Sequence, residues 1–321
     1  MNILVTGGNG QLGNSIKKIS VQYSEHKFIF TDVPEVDITD LNLLRNLVKK
    51  ESIGAIINCA AFTAVDKAES CEELAGKINI DGPKNLAIAA HEVGAKLIHI
   101  STDYVFGGKS SLPLKETDET NPIGVYGRTK RQGEIEVEKT GCDAIIIRTA
   151  WLYSEYGNNF VKTMLRLGKE RESLNVVYDQ IGTPTYATDL AYAIMTLLNK
   201  GIKGFDTYHF SNEGVISWFD FTKAIFEIAD YKTKVGAIES YEYPTAAERP
   251  AYSVLNKKKI KEALSFGPLL IVNGVSAKYK GTGGSGQNPR TAIAQRKDGI
   301  VLFLVTEGTH TAGPNMKEVV D

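Results

Sequence analysis

Short apolar blocks recur through the first half of the chain, each followed by a stretch of helical period. Ile3-Leu4-Val5, Phe28-Ile29-Phe30, Ala55-Ile56-Ile57-Asn58, Lys96-Leu97-Ile98-His99-Ile100 and Ala144-Ile145-Ile146-Ile147-Arg148 read as strands. Between the second and third, Thr39-Asp40 caps a helix to about Glu51, with Leu41, Leu44, Leu47 and Val48 on one face. A helical stretch spans about 65–93, with a break near Cys71, and another helix opens at Tyr126. Strands and helices alternating at this spacing predict an α/β fold built on a doubly wound parallel sheet, which binds ligands at the carboxyl ends of its strands.

Beyond residue 150 the alternation loosens. Helices are expected over 158–167 and 188–198, a strand over 207–210, and a helix to Ala229 behind Ser217-Trp218-Phe219-Asp220, a capping arrangement. Near Ala263 the pattern changes again. Gly267-Pro268-Leu269-Leu270-Ile271-Val272-Asn273-Gly274, a glycine-rich loop at 281–286 and apolar runs on both sides of Asp298-Gly299 carry hairpin signals. The tail is therefore expected to be β-rich and to contribute no chemistry.

Composition narrows the class. The 37 basic residues balance 38 acidic ones in 321, so no field for nucleic acid or an anionic membrane is implied. Three scattered cysteines suit a reducing compartment, and five dispersed histidines suggest no metal site. The first residues lack a signal-peptide pattern and no apolar run reaches membrane-spanning length, which points to a soluble, cytoplasmic protein.

The chemistry clusters at strand ends. Thr6-Gly7-Gly8-Asn9-Gly10-Gln11-Leu12-Gly13 follows the first strand; its glycines permit a tight turn, close approach to a pyrophosphate and close helix packing. The bland alternative is a glycine turn without a ligand. Asp32 ends the second strand, where an acid can accept from an adenosine ribose hydroxyl and repel a 2′-phosphate, a lean toward NADH over NADPH. The fourth strand delivers Ser101-Thr102-Asp103 to the same edge. Tyr126 and Lys130 stand one helical turn apart, so an ammonium beside the phenol is expected to lower its pKa toward neutrality for proton transfer; by chance alone such a pair is a solvated face. Lone His209 reads as a packed strand residue, and Arg249 as a surface arginine or a bidentate phosphate ligand.

Together with Ala60-Ala61-Phe62-Thr63-Ala64-Val65-Asp66, Arg148-Thr149-Ala150-Trp151, Asp179-Gln180-Ile181-Gly182-Thr183-Pro184-Thr185 and Arg249-Pro250, these motifs resemble the dTDP-4-dehydrorhamnose reductases of the extended short-chain dehydrogenase/reductase superfamily over residues 1–262. The resemblance implies an NAD(P)-binding Rossmann domain at 1–150 and a mainly substrate-binding part at 151–262 that returns in places to the Rossmann sheet. It implies NADH or NADPH as cofactor, with Gly7, Gly10, Gln11, Leu12 and Gly13 at the pyrophosphate. Asp32, Asp37 and Ile38 would lie by the adenosine, and Ala61, Phe62 and Thr63 by the nicotinamide. Thr102, Asp103, Trp151 and Arg249 would meet the sugar nucleotide, with Tyr126 as proton donor and Lys130 on the nicotinamide ribose. A metal-bridged dimer is not carried over, because the early first helix reads Asn14-Ser15; a homodimer stays open. The rival is a non-catalytic dinucleotide-binding regulatory subunit, as is associated with methionine adenosyltransferase. The β-rich tail, 263–321, resembles from about residue 265 a fragment of a phosphodiester glycosidase domain of exopolysaccharide proteins, without that domain's later glycine- and aspartate-rich segment.

Overall fold

The computed structural model describes residues 1–264 and, further on, the strands Ile271–Val272, Val275–Ser276, Arg290–Gln295 and Val301–Thr306. Residues 1–264 form one compact unit and 265–321 a second.

In the first unit, β1 (Asn2–Thr6), β2 (Lys27–Thr31), β3 (Ile53–Asn58), β4 (Lys96–Thr102), β5 (Ala144–Thr149) and β6 (Phe205–Phe210) form a six-stranded sheet in the order β6-β5-β4-β3-β1-β2. Every pairing is parallel. The apolar runs are continuous because both faces are covered. Ile3, Val5, Ala55, Ile57, Ile98, Ile145 and Ile147 pack toward α1 (Gln11–Ser20) on one face. Leu4, Ile56, Leu97, Ala144 and Ile146 face α2 (Leu41–Lys50) and α3 (Gly82–Val93) on the other. Two-sided burial of this kind contributes about 1.5–3 kcal/mol per large aliphatic side chain.

The chain order reverses between β1 and β3, and the crevice opens there. The expected helical stretch over 65–93 is four pieces: Val65–Ala68, Glu72–Gly76, a π-helical turn Lys77–Asp81, and α3. Buried Asn79 holds the π turn, donating to the Phe62 carbonyl and Thr129 Oγ1 and accepting from Phe62 N. Helix α4 (Val125–Lys139) passes so close that a Cβ on Gly127 would sit 2.2 Å from the Tyr104 carbonyl oxygen. Only glycine lets Tyr126 and Lys130 be carried that near to the end of β4.

Past residue 150, α5 (Phe160–Glu170) starts at an Asn159 cap, α6 (Ala187–Lys200) packs on the α1 face, and α7 (Trp218–Ile228) carries the expected capping box between Ser217 and Asp220. Strand β6 returns to the sheet edge beside β5. Among the described residues the second unit shows two antiparallel pairings, Ile271↔Ser276 and Arg290↔Thr306 being their outer partners, as the hairpin signals predict. The turns at Asn273-Gly274 and Asp298-Gly299 and the glycine-rich loop lie outside the described residues. Among those described, no helix is long and apolar enough to cross a membrane.

Candidate active site

Gly7 adopts φ +65°, and a Cβ there would come within 2.7 Å of Ala60 N. A side chain would force apart the loops after β1 and β3, so the glycine is needed both for its conformation and for this approach. Gly10 N-caps α1 in extended conformation with no side-chain bond. The first-turn N–H groups of α1, those of Gln11 and Leu12 among them, have no intrahelical acceptor and meet the positive end of the helix dipole, a cradle suited to a pyrophosphate.

From this cradle a cavity of about 770 Å³ runs along the strand ends. It gathers Gly7, Gly10, Gln11, Leu12, Asp32, Asp37, Ile38, Ala61, Thr63, Thr102, Asp103, Tyr126, Lys130 and Trp151, most of the residues expected from sequence. The size and the glycine cradle fit a dinucleotide with room for a second ligand. Three expected residues do not line it. Gly13 serves packing, since a Cβ would lie 2.4 Å from the Gly7 carbonyl oxygen. Phe62 turns its ring into an apolar cluster with Ala68, Ala75 and Val125. Arg249 is not presented to a phosphate: its guanidinium pairs with Asp66 at 2.7 and 3.1 Å and donates to the Ala247 carbonyl.

At one end, the Asp32 carboxylate accepts from Asn9 N and from Val33 N, each at 2.9 Å. Asp37 accepts from Thr39 N at 2.8 Å, which holds its carboxyl below the usual range, and the nearby Lys77 ammonium adds to this. Lys77, the first residue of the π turn, and Leu74, on the short helix before it, also line the cavity; they were not foreseen, and no linear motif announces them.

At the other end, Thr102 caps a single 3-10 turn (Asp103–Val105), accepting from Tyr104 N and donating to Asp103 Oδ1 at 3.0 Å. Burial pushes the Asp103 carboxyl up to about 6, against the pull of the Ser253 and Thr102 hydroxyls. Burial likewise pushes the Tyr126 phenol up to about 12, with Thr102 opposing. This corrects the expectation of a tyrosine lowered toward neutrality. Lys130 gives its hydrogen bond to the Ile100 carbonyl at 2.6 Å, and the charge that does act on the phenol, that of Asp103, raises it further. Burial brings Lys130 itself down to about 8, with Glu134 opposing. Tyr126 is therefore protonated at neutral pH, the state a proton donor requires.

Trp151 follows β5 with φ +48°, a strained conformation for a bulky residue. Its indole stacks on Trp218 at 3.5 Å and 9°, and Gly182 leaves room for it: a Cβ there would be 2.6 Å from the ring. Trp218 is fixed by an Nε1 donation to Gln180 Oε1 at 3.2 Å. Sequence reasoning missed this second indole, whose capping-box context spoke only of a helix start.

Residues 1–273 match the family model described as RmlD substrate binding domain. The dTDP-4-dehydrorhamnose reductase of Aggregatibacter actinomycetemcomitans is 41% identical over 276 residues, covering 83% of this chain and 94% of that protein. The enzyme of the same name from Escherichia coli K12 is 41% identical over 277 residues, covering 82% and 91%. Among solved structures, dTDP-4-dehydrorhamnose reductase from Bacillus anthracis in complex with NADP is 42% identical with a TM-score of 0.79, covering 81% of this chain and 92% of that one.

Proposed function

The chain belongs to the dTDP-4-dehydrorhamnose reductase family, the family of the RmlD substrate binding domain, and from that premise we propose how its site performs the reaction. The reaction is the NAD(P)H-dependent reduction of dTDP-4-dehydrorhamnose at C4, forming dTDP-L-rhamnose. The bound dinucleotide supplies the hydride.

This chain's residues do the rest. Gly7, Gly10, Gln11 and Leu12 hold the pyrophosphate at the α1 N-terminus, while Asp32, Asp37 and Ile38 border the adenosine and Ala61 and Thr63 the nicotinamide side. The Tyr126 O–H bond breaks as a new O–H bond forms on the C4 oxygen, which leaves a phenolate to be reprotonated from solvent through the site. Thr102 donates to the same oxygen as charge develops there. Lys130 positions the nicotinamide ribose. Asp103 and Trp151 orient the sugar nucleotide, and the part of the chain from residue 151 to 262 supplies most of the substrate side. Phe62 and Arg249 act at one remove, Phe62 by packing on the Ala68, Ala75 and Val125 cluster that Tyr126 also packs against, and Arg249 by tying residues 247–249 to Asp66. The three free cysteines agree with a cytoplasmic location.

The observation that carries this reading is the convergence of Thr102, Tyr126 and Lys130 on one cavity with the glycine cradle. A regulatory subunit that only binds a dinucleotide has no need of a buried, protonated tyrosine there. Incubating the protein with NADPH or NADH and dTDP-4-dehydrorhamnose decides the matter. Stoichiometric cofactor oxidation with appearance of dTDP-L-rhamnose is expected; cofactor binding without turnover would establish the regulatory role instead.

A further inference from the structure

Beneath the cavity runs a buried hydrogen-bonded row to which the reaction above assigns no task. Asn58, the last residue of β3, accepts at Oδ1 from Thr6 Oγ1 at 2.7 Å and from Ala60 N at 3.1 Å. A backbone N–H can only donate, so the atom facing Ala60 N is the amide oxygen. Asn58 Nδ2 therefore faces His99 Nδ1, at 2.9 Å, as a donor. His99 is fully buried, and desolvation holds it well below the usual histidine range, so its ring is neutral. With Nδ1 accepting, the one ring proton must sit on Nε2. That N–H is directed at Lys130 Nζ, 3.3 Å away. An ammonium has no lone pair and meets this N–H as a second donor; a free amine accepts it.

We infer that His99, held by Asn58 as the Nε2–H tautomer, is a positioning residue that turns an N–H rather than a lone pair toward Lys130 Nζ and so disfavours the ammonium form of this lysine. The inference deepens the reading above and rests on Lys130 belonging to the reductase site. The other groups around Lys130 leave this influence standing. Glu134, one turn along α4, favours the ammonium, but its carboxylate already receives Arg148 at 2.8 Å and Arg131 at 3.1 Å. Cys59, after β3, is a neutral thiol, pushed up to about 12 by burial. The Ile100 carbonyl accepts from either form of the lysine. With a midpoint near 8, about a tenth of Lys130 is free amine at pH 7, where an ordinary lysine is almost wholly ammonium.

Asn58→Asp tests the inference by reversing the tautomer. The isosteric carboxylate still accepts from Thr6 and Ala60, but now also accepts from Nδ1–H of His99. Nε2 then presents a lone pair to the Lys130 ammonium. In ¹⁵N-histidine-labelled wild-type protein, His99 is expected as Nε2–H, and its Nε2 resonance is expected to shift with a midpoint near 8 as Lys130 titrates. In the variant, His99 should become Nδ1–H and the midpoint should rise by at least about one pH unit. The alkaline limb of NADPH oxidation should move with it. An Nδ1–H ring in the wild type overturns the inference even if the variant fails to fold, and so does a reversed tautomer with an unmoved midpoint. The predicted midpoints without any turnover would uphold it and instead sink the reductase reading.

Discussion

Replacing Asp103 with asparagine should change how stability depends on pH. Asp103 is 2% exposed, its Oδ2 has no hydrogen-bond partner, and burial raises its carboxyl from 3.8 to about 6. Below pH 3.8 the group is protonated in both folded and unfolded chains. Between 3.8 and 6 the folded chain binds the proton more tightly, so stability falls as pH rises through this window. About two pKa units correspond to about 3 kcal/mol lost between pH 4 and 8. The asparagine amide does not titrate. It keeps the acceptor for Thr102 but leaves N–H groups unpaired, at a pH-independent cost of about 1–3 kcal/mol. Asp103→Asn should therefore be less stable than wild type at pH 4 and close to it at pH 8, while losing turnover at both. For a unit of this size the gap in melting temperature should close by about 6–12 °C across that range. Calorimetric or denaturant melts at half-unit pH steps read it directly. Parallel curves for the two proteins would show that Asp103 does not pay for its burial in the fold.

Three other substitutions probe separate parts of the account. Asp32→Ser should raise kcat/KM for NADPH relative to NADH, because it removes a carboxylate that borders the adenosine cavity; an unchanged ratio would mean that Asp32 only anchors Asn9 and Val33. Trp218→Leu removes the stack beneath Trp151 and should raise KM for the sugar nucleotide about tenfold with kcat little changed, since such stacks contribute about 0.5–1.5 kcal/mol beyond area; a kcat loss at constant KM would contradict this. Arg148→Met leaves buried Glu134 with Arg131 alone and should cost about 3–5 kcal/mol in urea unfolding, whereas a loss under about 1 kcal/mol would show the pair to be dispensable.

What could be read in advance was local. The glycine turn, the Asp40 cap, the Ser217 box and the spacing of Tyr126 and Lys130 are set by residues within a few positions of one another, and the structure holds each of them. The alternation of strand and helix gave the parallel sheet because each apolar run must be covered on two faces. Partnerships across long stretches of chain were not legible. Arg249 offered the chemistry of a phosphate ligand, but Asp66, nearly two hundred residues earlier, claims it. Nothing beside Lys130 in sequence announces His99 or Ile100, and the expected lowering of Tyr126 is reversed because burial, a property of the whole fold, raises the phenol and the Asp103 charge adds to it. The break at 69–71 was visible at Cys71, whereas the π turn that brings Lys77 to the cavity depends on Asn79 bonding to Phe62 and Thr129.

The most direct test compares wild type with Tyr126→Phe, measuring NADPH oxidation in the presence of dTDP-4-dehydrorhamnose and cofactor binding separately. Loss of the protonated phenol should lower kcat by about a hundredfold or more while the dissociation constant for the dinucleotide stays within about threefold. Near-normal turnover in the variant would remove Tyr126 from the chemistry and contradict the account at its centre.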